Sequence, residues 1–166
     1  MREHALRIFQ AGIDAANPYL AVKRCLSAGE HHLDIRLDLN ATLKKRSGRW
    51  TKIHLIAFGK AACAMTKAAQ EIIPKHLLAG KGIAVTNYEN ATAVDQVDVI
   101  GASHPLPDRS GLAAAHAIAE RIQAADKNEL VLVLVSGGGS ALIPYPRPPV
   151  TLAEKIATTE LLLSCG

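Results

Sequence analysis

Three short segments hold residues whose types and spacing could do chemistry. In the first, Ser136, Gly137, Gly138, Gly139 and Ser140 follow directly on the apolar run LVLVLV of residues 130–135. Glycines carry no Cβ, so the chain can turn through positive φ and a ligand can come close to the amides. If Ser140, Ala141 and Leu142 open a short helix, unpaired N–H groups and the positive end of a dipole converge on one spot, which suits an anion. The competing reading is a flexible turn without a ligand. Ordering three consecutive glycines, however, costs more backbone entropy than an ordinary connection requires.

The second segment is Gly59-Lys60, between the apolar run 53–58 and an alanine-rich stretch. An ammonium beside the first N–H groups of a helix again favours an anion, the alternative being a solvent-facing lysine without a role. The third, SHPLPDRSG at 103–111, sets His104, Asp108 and Arg109 in a loop stiffened by two prolines. Such a loop can form a substrate wall; equally, Asp108 can simply cap a helix and His104 bond to backbone. Named phosphate motifs do not fit. A P-loop would need glycine at His54 and a hydroxyl residue at Ala61, and the dinucleotide fingerprint from Gly137 or a nucleophile elbow from Gly138 would need glycine at Leu142.

The elements that must position these segments follow from hydrophobic periodicity. Strands are expected at 53–58, 82–86, 97–102 and 130–135, with a helix from about 61 to 72. A longer helix carries Leu112, Ala115, Ile118, Ala119 and Ile122 on one stripe, capped by Asp108 or Ser110. This rhythm predicts an α/β fold with a mainly parallel sheet in a Rossmann-like three-layer arrangement, helices on both faces, in one domain over residues 1–166. The unbroken LVLVLV run predicts a strand covered on both faces. Ligands of such sheets lie beyond the carboxyl ends of the strands, so the loops at 59–60, 86–87, 103–110 and 136–140 are the ones to watch.

Upstream, Ala5, Leu6, Ile8, Phe9 and Ile13 share a helical face, and Asn17-Pro18 precedes a second helix over 19–26; both are expected on the outside of the sheet. Leu33, Ile35, Leu37 and Leu39 alternate as a strand expected to pair near 49–52 across a basic turn. That turn holds Lys44, Lys45 and Arg46, read with Arg49 and Lys52 as a solvated hairpin. Downstream, PYPRPP forces an extended loop, and Thr151 with Glu154 forms a capping box for a last helix to about 164, with Gly166 a possible C-cap residue.

Bulk properties set the class. At 166 residues the chain can bury roughly 70% of its unfolded surface. Its 49% hydrophobic and 20% charged content is that of a globular protein, and the net charge of +4 tolerates anions without calling for nucleic acid. Cys25, Cys63 and Cys165 form no zinc or disulfide pattern, which fits a reducing cytoplasm. His31, His32, His54, His76 and His116 lack metal-ligand spacing and read as surface or packing residues. The first residues show periodic rather than continuous apolarity, unlike a signal peptide, and no run is long enough to span a membrane.

GKAACAM at 59–65, SHPLPDRSG at 103–111 and SGGGSALIPYPRPPVTLAEK at 136–155 together resemble the amino-terminal domain of the type II glycerate kinases. Bacterial members of that family often carry the label hydroxypyruvate reductase. The resemblance implies ATP-dependent phosphorylation of D-glycerate, usually to 2-phosphoglycerate, with Mg²⁺, by a two-domain enzyme. It implies that Lys60 is an active-site cation beside Gly59. The loop Ser136, Gly137, Gly138, Gly139 and Ser140 would receive phosphate or the glycerate carboxylate, and His104 and Asp108 would line the cleft. Family members are much longer and have a carboxy-terminal domain that supplies further residues, including an arginine. The chain therefore reads as a fragment expected to be inactive alone, with no nucleic-acid or membrane partner. A non-catalytic anion or sugar-phosphate module fits the same loops. A reductase fits less well, because a nicotinamide site calls for the glycine fingerprint that is missing.

Overall fold

The structure is a computed structural model describing residues 2–39 and 42–165. In chain order the elements are α1 (Arg2–Ala15), α2 (Pro18–Cys25), β1 (Leu26–Ala28), β2 (Leu33–Leu39), β3 (Thr42–Gly48), β4 (Ile53–Phe58) and α3 (Ala62–Ile72). There follow β5 (Gly82–Asn87), β6 (Val97–Ala102), α4 (Arg109–Gln123), β7 (Leu130–Val135), α5 (Gly139–Leu142) and α6 (Leu152–Cys165). Gly166, the expected C-cap, lies outside the described residues.

Four parallel strands form the central sheet in the order β6-β5-β4-β7. Alternate side chains of β4 point to opposite faces, as the pleat requires. Ile53, Leu55 and Ala57 join Ala62, Ala68 and Ala69 of α3 in one apolar cluster, while Ile56 meets Ala114 and Ile118 of α4 in the other. The predicted three-layer α/β arrangement is therefore the observed one. Within the sheet the chain builds outward from β4 to β6 and then returns to the other side of β4 with β7. The chain leaves β4 for the α3 face and β7 for the α4 face, which makes the carboxyl ends of these two strands the switch point of the sheet.

Two expectations change. β7 is not covered on both faces. It is an edge strand: Leu132 and Leu134 are buried in the α3 layer, but Val133 and Val135 are 40% and 59% exposed because α4 packs over β6, β5 and β4. An apolar run cannot by itself reveal which of its faces has a helix to cover it. The basic cluster is likewise not a turn. Lys44, Lys45 and Arg46 sit inside β3, which pairs antiparallel with β2, so the hairpin partner of β2 is 42–48 and not 49–52.

The amino-terminal helices also depart from the expected layout. α2 begins where Asn17 Oδ1 accepts the Leu20 amide at 3.1 Å and Pro18 occupies the first turn, where its missing N–H costs nothing. It packs on α3 rather than directly on the sheet: Lys23 Nζ lies 2.8 Å from Glu71 Oε2, and Tyr19 also donates to Glu71. The Glu71 carboxylate pushes the Lys23 ammonium up to about 12. No residue of α1 is buried. The capping box before α6 forms as expected, with the Thr151 amide donating to Glu154 Oε2 at 2.7 Å and the Glu154 amide to Thr151 Oγ1 at 3.2 Å. Among the described residues, no helix is long and apolar enough to cross a membrane.

Candidate functional site

The switch point between β4 and β7 is held by mutual bonding of the two turns that follow those strands. Gly59 turns with φ +113°, and a Cβ there would collide with the carbonyl and hydroxyl of Ser136. The Ser136 amide donates to Phe58 O at 3.0 Å, extending the β4–β7 ladder by one rung. The Lys60 amide then donates to Gly137 O at 3.0 Å, and the Ala61 amide to Ser136 Oγ at 3.0 Å. The Ala62 amide turns back to Gly59 O at 3.1 Å.

The glycine loop thus accepts from the two amides just before α3, those of Lys60 and Ala61. The Ser136 hydroxyl bonds the N-cap residue of α3 from 75 residues away. The amides of Gly138, Gly139 and Ser140, at the start of α5, have no protein acceptor among the described residues.

Gly138 is the centre of the site. It adopts φ +86° as the residue before α5, and a Cβ on it would lie 3.1 Å from Cδ2 and Nε2 of His104 and 3.4 Å from Cε of Lys60. Two cationic or proton-bearing side chains thus meet bare backbone at one point. Lys60 is exposed and forms no ion pair among the described residues. Its carbonyl accepts from the buried Thr86 hydroxyl at 3.4 Å, which fixes the turn against the end of β5. His104, half-buried, follows β6 through the stiff 103–108 loop.

The other residues singled out from sequence separate by role. Gly139 is buried, and a Cβ on it would lie 2.7 Å from the Phe58 ring, so this glycine permits packing. Gly137 faces open space and Ser140 is exposed. Asp108 stands back from the centre: Oδ1 accepts the Gly111 amide at 2.8 Å as the cap of α4, and Oδ2 accepts the Tyr88 hydroxyl at 2.6 Å. Asp108 caps α4, as one of its two readings has it.

Sequence reasoning missed Glu89. It lies in the single 3-10 turn 88–90 just beyond β5, where its own backbone amide and then Asn87 Nδ2, at 2.5 Å from Oε2, hold its carboxyl below the usual glutamate range, with His104 and Lys60 adding attraction. The only available signal was position: Glu89, like Lys60 and His104, stands two residues past the end of a parallel strand. Elsewhere, His54 is a packing residue as expected, 7% exposed, with Nε2 2.7 Å from Glu129 Oε2. No group of three or more histidine, cysteine or carboxylate side chains among the described residues could hold a metal ion.

A family model described as a domain of unknown function, DUF4147, matches residues 4–166. The chain belongs to the DUF4147 family. Human glycerate kinase is 38% identical over 181 residues, aligning with 100% of this chain and 33% of the human protein. Glycerate 2-kinase of Pyrococcus horikoshii is 33% identical over 166 residues, covering 100% of this chain and 35% of that protein. A crystal structure of a P. horikoshii OT3 protein superposes on 99% of the chain with a TM-score of 0.81 at 33% identity, again using 35% of the larger chain. This DUF4147 chain therefore spans about a third of the length of the curated relatives it matches.

Proposed function

We propose that this chain forms one wall of the active site of an ATP-dependent kinase that phosphorylates D-glycerate, to 2-phosphoglycerate. The observation that carries this reading is the convergence of Lys60, His104 and the Gly138 backbone at the switch point of the sheet, in a chain whose relatives are named for that activity. Lys60 would neutralise an anionic oxygen of the substrate carboxylate or of the transferred phosphoryl group, and the free loop amides would orient it by hydrogen bonds. When bound, Mg²⁺ would supply charge neutralisation between nucleotide phosphates. The described residues offer it no cage of carboxylates, which suits an ion carried mainly on those phosphates.

Stabilising the charge of phosphoryl transfer takes cationic groups on more than one side, and this wall offers Lys60 and amides from one. The chain alone is therefore expected to bind glycerate or phosphate weakly without turning over. The test is a coupled phosphoglycerate assay with ATP, Mg²⁺ and D-glycerate, run beside the full-length Pyrococcus relative, with calorimetry of D-glycerate on the chain. Turnover within about tenfold of the relative overturns the one-wall reading. Absence of any glycerate or phosphate affinity, or affinity unchanged in Lys60→Ala, overturns the assignment of the site.

A further inference from the structure

A second concave site lies at the opposite end of the sheet, where β4 and β7 begin. A cavity of about 570 Å³ is walled by His31, Arg49, Trp50, His76 and Lys127, and no carboxylate lines it. Its walls are tied together. The Thr51 amide and hydroxyl both donate to Asn128 O, at 3.1 and 3.2 Å, which fixes the turn bearing Lys127 beside the segment bearing Arg49 and Trp50. His76 Nε2 donates to Glu30 O at 2.7 Å, and the His31 ring meets the His76 ring edge-on with centroids 5.7 Å apart. Lys52 Nζ donates to His76 O at 2.8 Å, adding a further cation behind this wall. The Trp50 indole covers Gly48, where a Cβ would run into the ring.

Arg49 and Lys127 form no ion pair among the described residues. Glu30 is 3.8 Å from His31 Nε2 with its side chain 83% exposed, and Glu129 is engaged by His54 and by the Asp126 amide. Cations gathered in a concavity without counter-charges repel one another, and an anion seated among them removes that repulsion. Arg49 brings a guanidinium whose fork matches phosphate oxygens, Lys127 a mobile point charge, and the indole a flat wall.

We propose that this cavity binds a multiply charged phosphate chain, held by Arg49, Lys127 and the His31–His76 pair against Trp50. It is separate from the Lys60 site and does not depend on the kinase reading. The chain contains a single tryptophan, so its emission reports on this cavity alone. Inorganic tripolyphosphate titrated into the purified chain at low salt should give a saturable change in Trp50 emission. That change should weaken at high salt, weaken about tenfold or more in Arg49→Gln/Lys127→Gln, and persist in Lys60→Ala. ATP in a parallel titration identifies the source of the phosphate chain: affinity equal to tripolyphosphate means the phosphates alone are read, and tighter binding means the base also stacks on Trp50. If the double variant loses its far-ultraviolet dichroism, Lys127→Gln alone, in an exposed turn, applies the same test with a drop of about threefold. No saturable emission change with either ligand, or a change that survives undiminished in the charge variants, overturns the proposal.

Discussion

The Lys60 amide donates to the Gly137 carbonyl at 3.0 Å, and this bond ties the turn after β4 to the loop after β7. Because the two turns hold each other, the backbones of Lys60 and Gly137 keep a fixed relation without a ligand. Binding there need not fund the ordering of three glycines, since the fold has already ordered them.

The weld can be tested at its serine. Ser136→Ala removes the acceptor of the Ala61 amide and should cost about 1 kcal/mol, read as a fall in Tm of roughly 2–4 °C. An unchanged melting curve would show that water replaces the hydroxyl without loss.

Two glycines at positive φ separate strain from collision. Gly80 (φ +92°) has open space where a Cβ would project, whereas Gly59 (φ +113°) has the Ser136 carbonyl and hydroxyl there. Gly80→Ala should cost only the left-handed strain, about 1 kcal/mol. Gly59→Ala adds a backbone clash and should cost about 3 kcal/mol or more. Denaturant midpoints measure both, and equal losses would contradict the close approach of the two turns.

At the site centre, Gly138→Val should abolish D-glycerate affinity in a chain that still folds. A β-branched residue resists φ +86°, and its Cβ would stand 3.1 Å from His104. Lys60→Ala should weaken the same affinity by about 1.5–3 kcal/mol with no change in stability, because Lys60 is an exposed residue making a charge-assisted contact only with ligand. Calorimetric titration with D-glycerate measures both changes.

Stability should fall in acid for identifiable reasons. His54 holds the Glu129 carboxyl low, Lys23 that of Glu71, and the Thr151 amide that of Glu154, each below the ordinary 4.5. A carboxylate with a depressed folded-state value contributes stability that is fully present above its unfolded value and lost as pH drops through the folded one. Urea midpoints should therefore decline below about pH 4.5, and Glu129→Gln should flatten part of that decline. A variant as acid-sensitive as the parent would remove Glu129 from the account.

The parallel core was legible because its strands are short apolar runs bounded by glycine or polar turns: β4, β6 and β7 were read with the bounds observed. Local signals of capping were equally clear at Asp108 and Thr151, where one side chain bonds one nearby amide. What sequence could not show was anything settled by distant parts of the chain. Ser136 looked like a ligand group and is bonded to a helix 75 residues upstream. Gly139 looked like a ligand-approach glycine and makes room for Phe58. Glu89 carried no motif, since its relation to Lys60 and His104 exists only once β4, β5 and β6 lie side by side. The basic run was misplaced because three adjacent cations suit a turn by composition, whereas pairing to β2 makes them a strand.

The open side of β7 has a consequence for handling the molecule. Val133 and Val135 stand uncovered on a strand that has one hydrogen-bonded neighbour and one bare edge, without the proline or inward charge that commonly blunts such edges. A strand edge flanked by exposed apolar side chains is a template for a like strand from another molecule, so self-association by strand addition is expected to grow with concentration. The shelf life of a concentrated preparation would then be limited by this one strand, long before the core around Ile56 began to loosen.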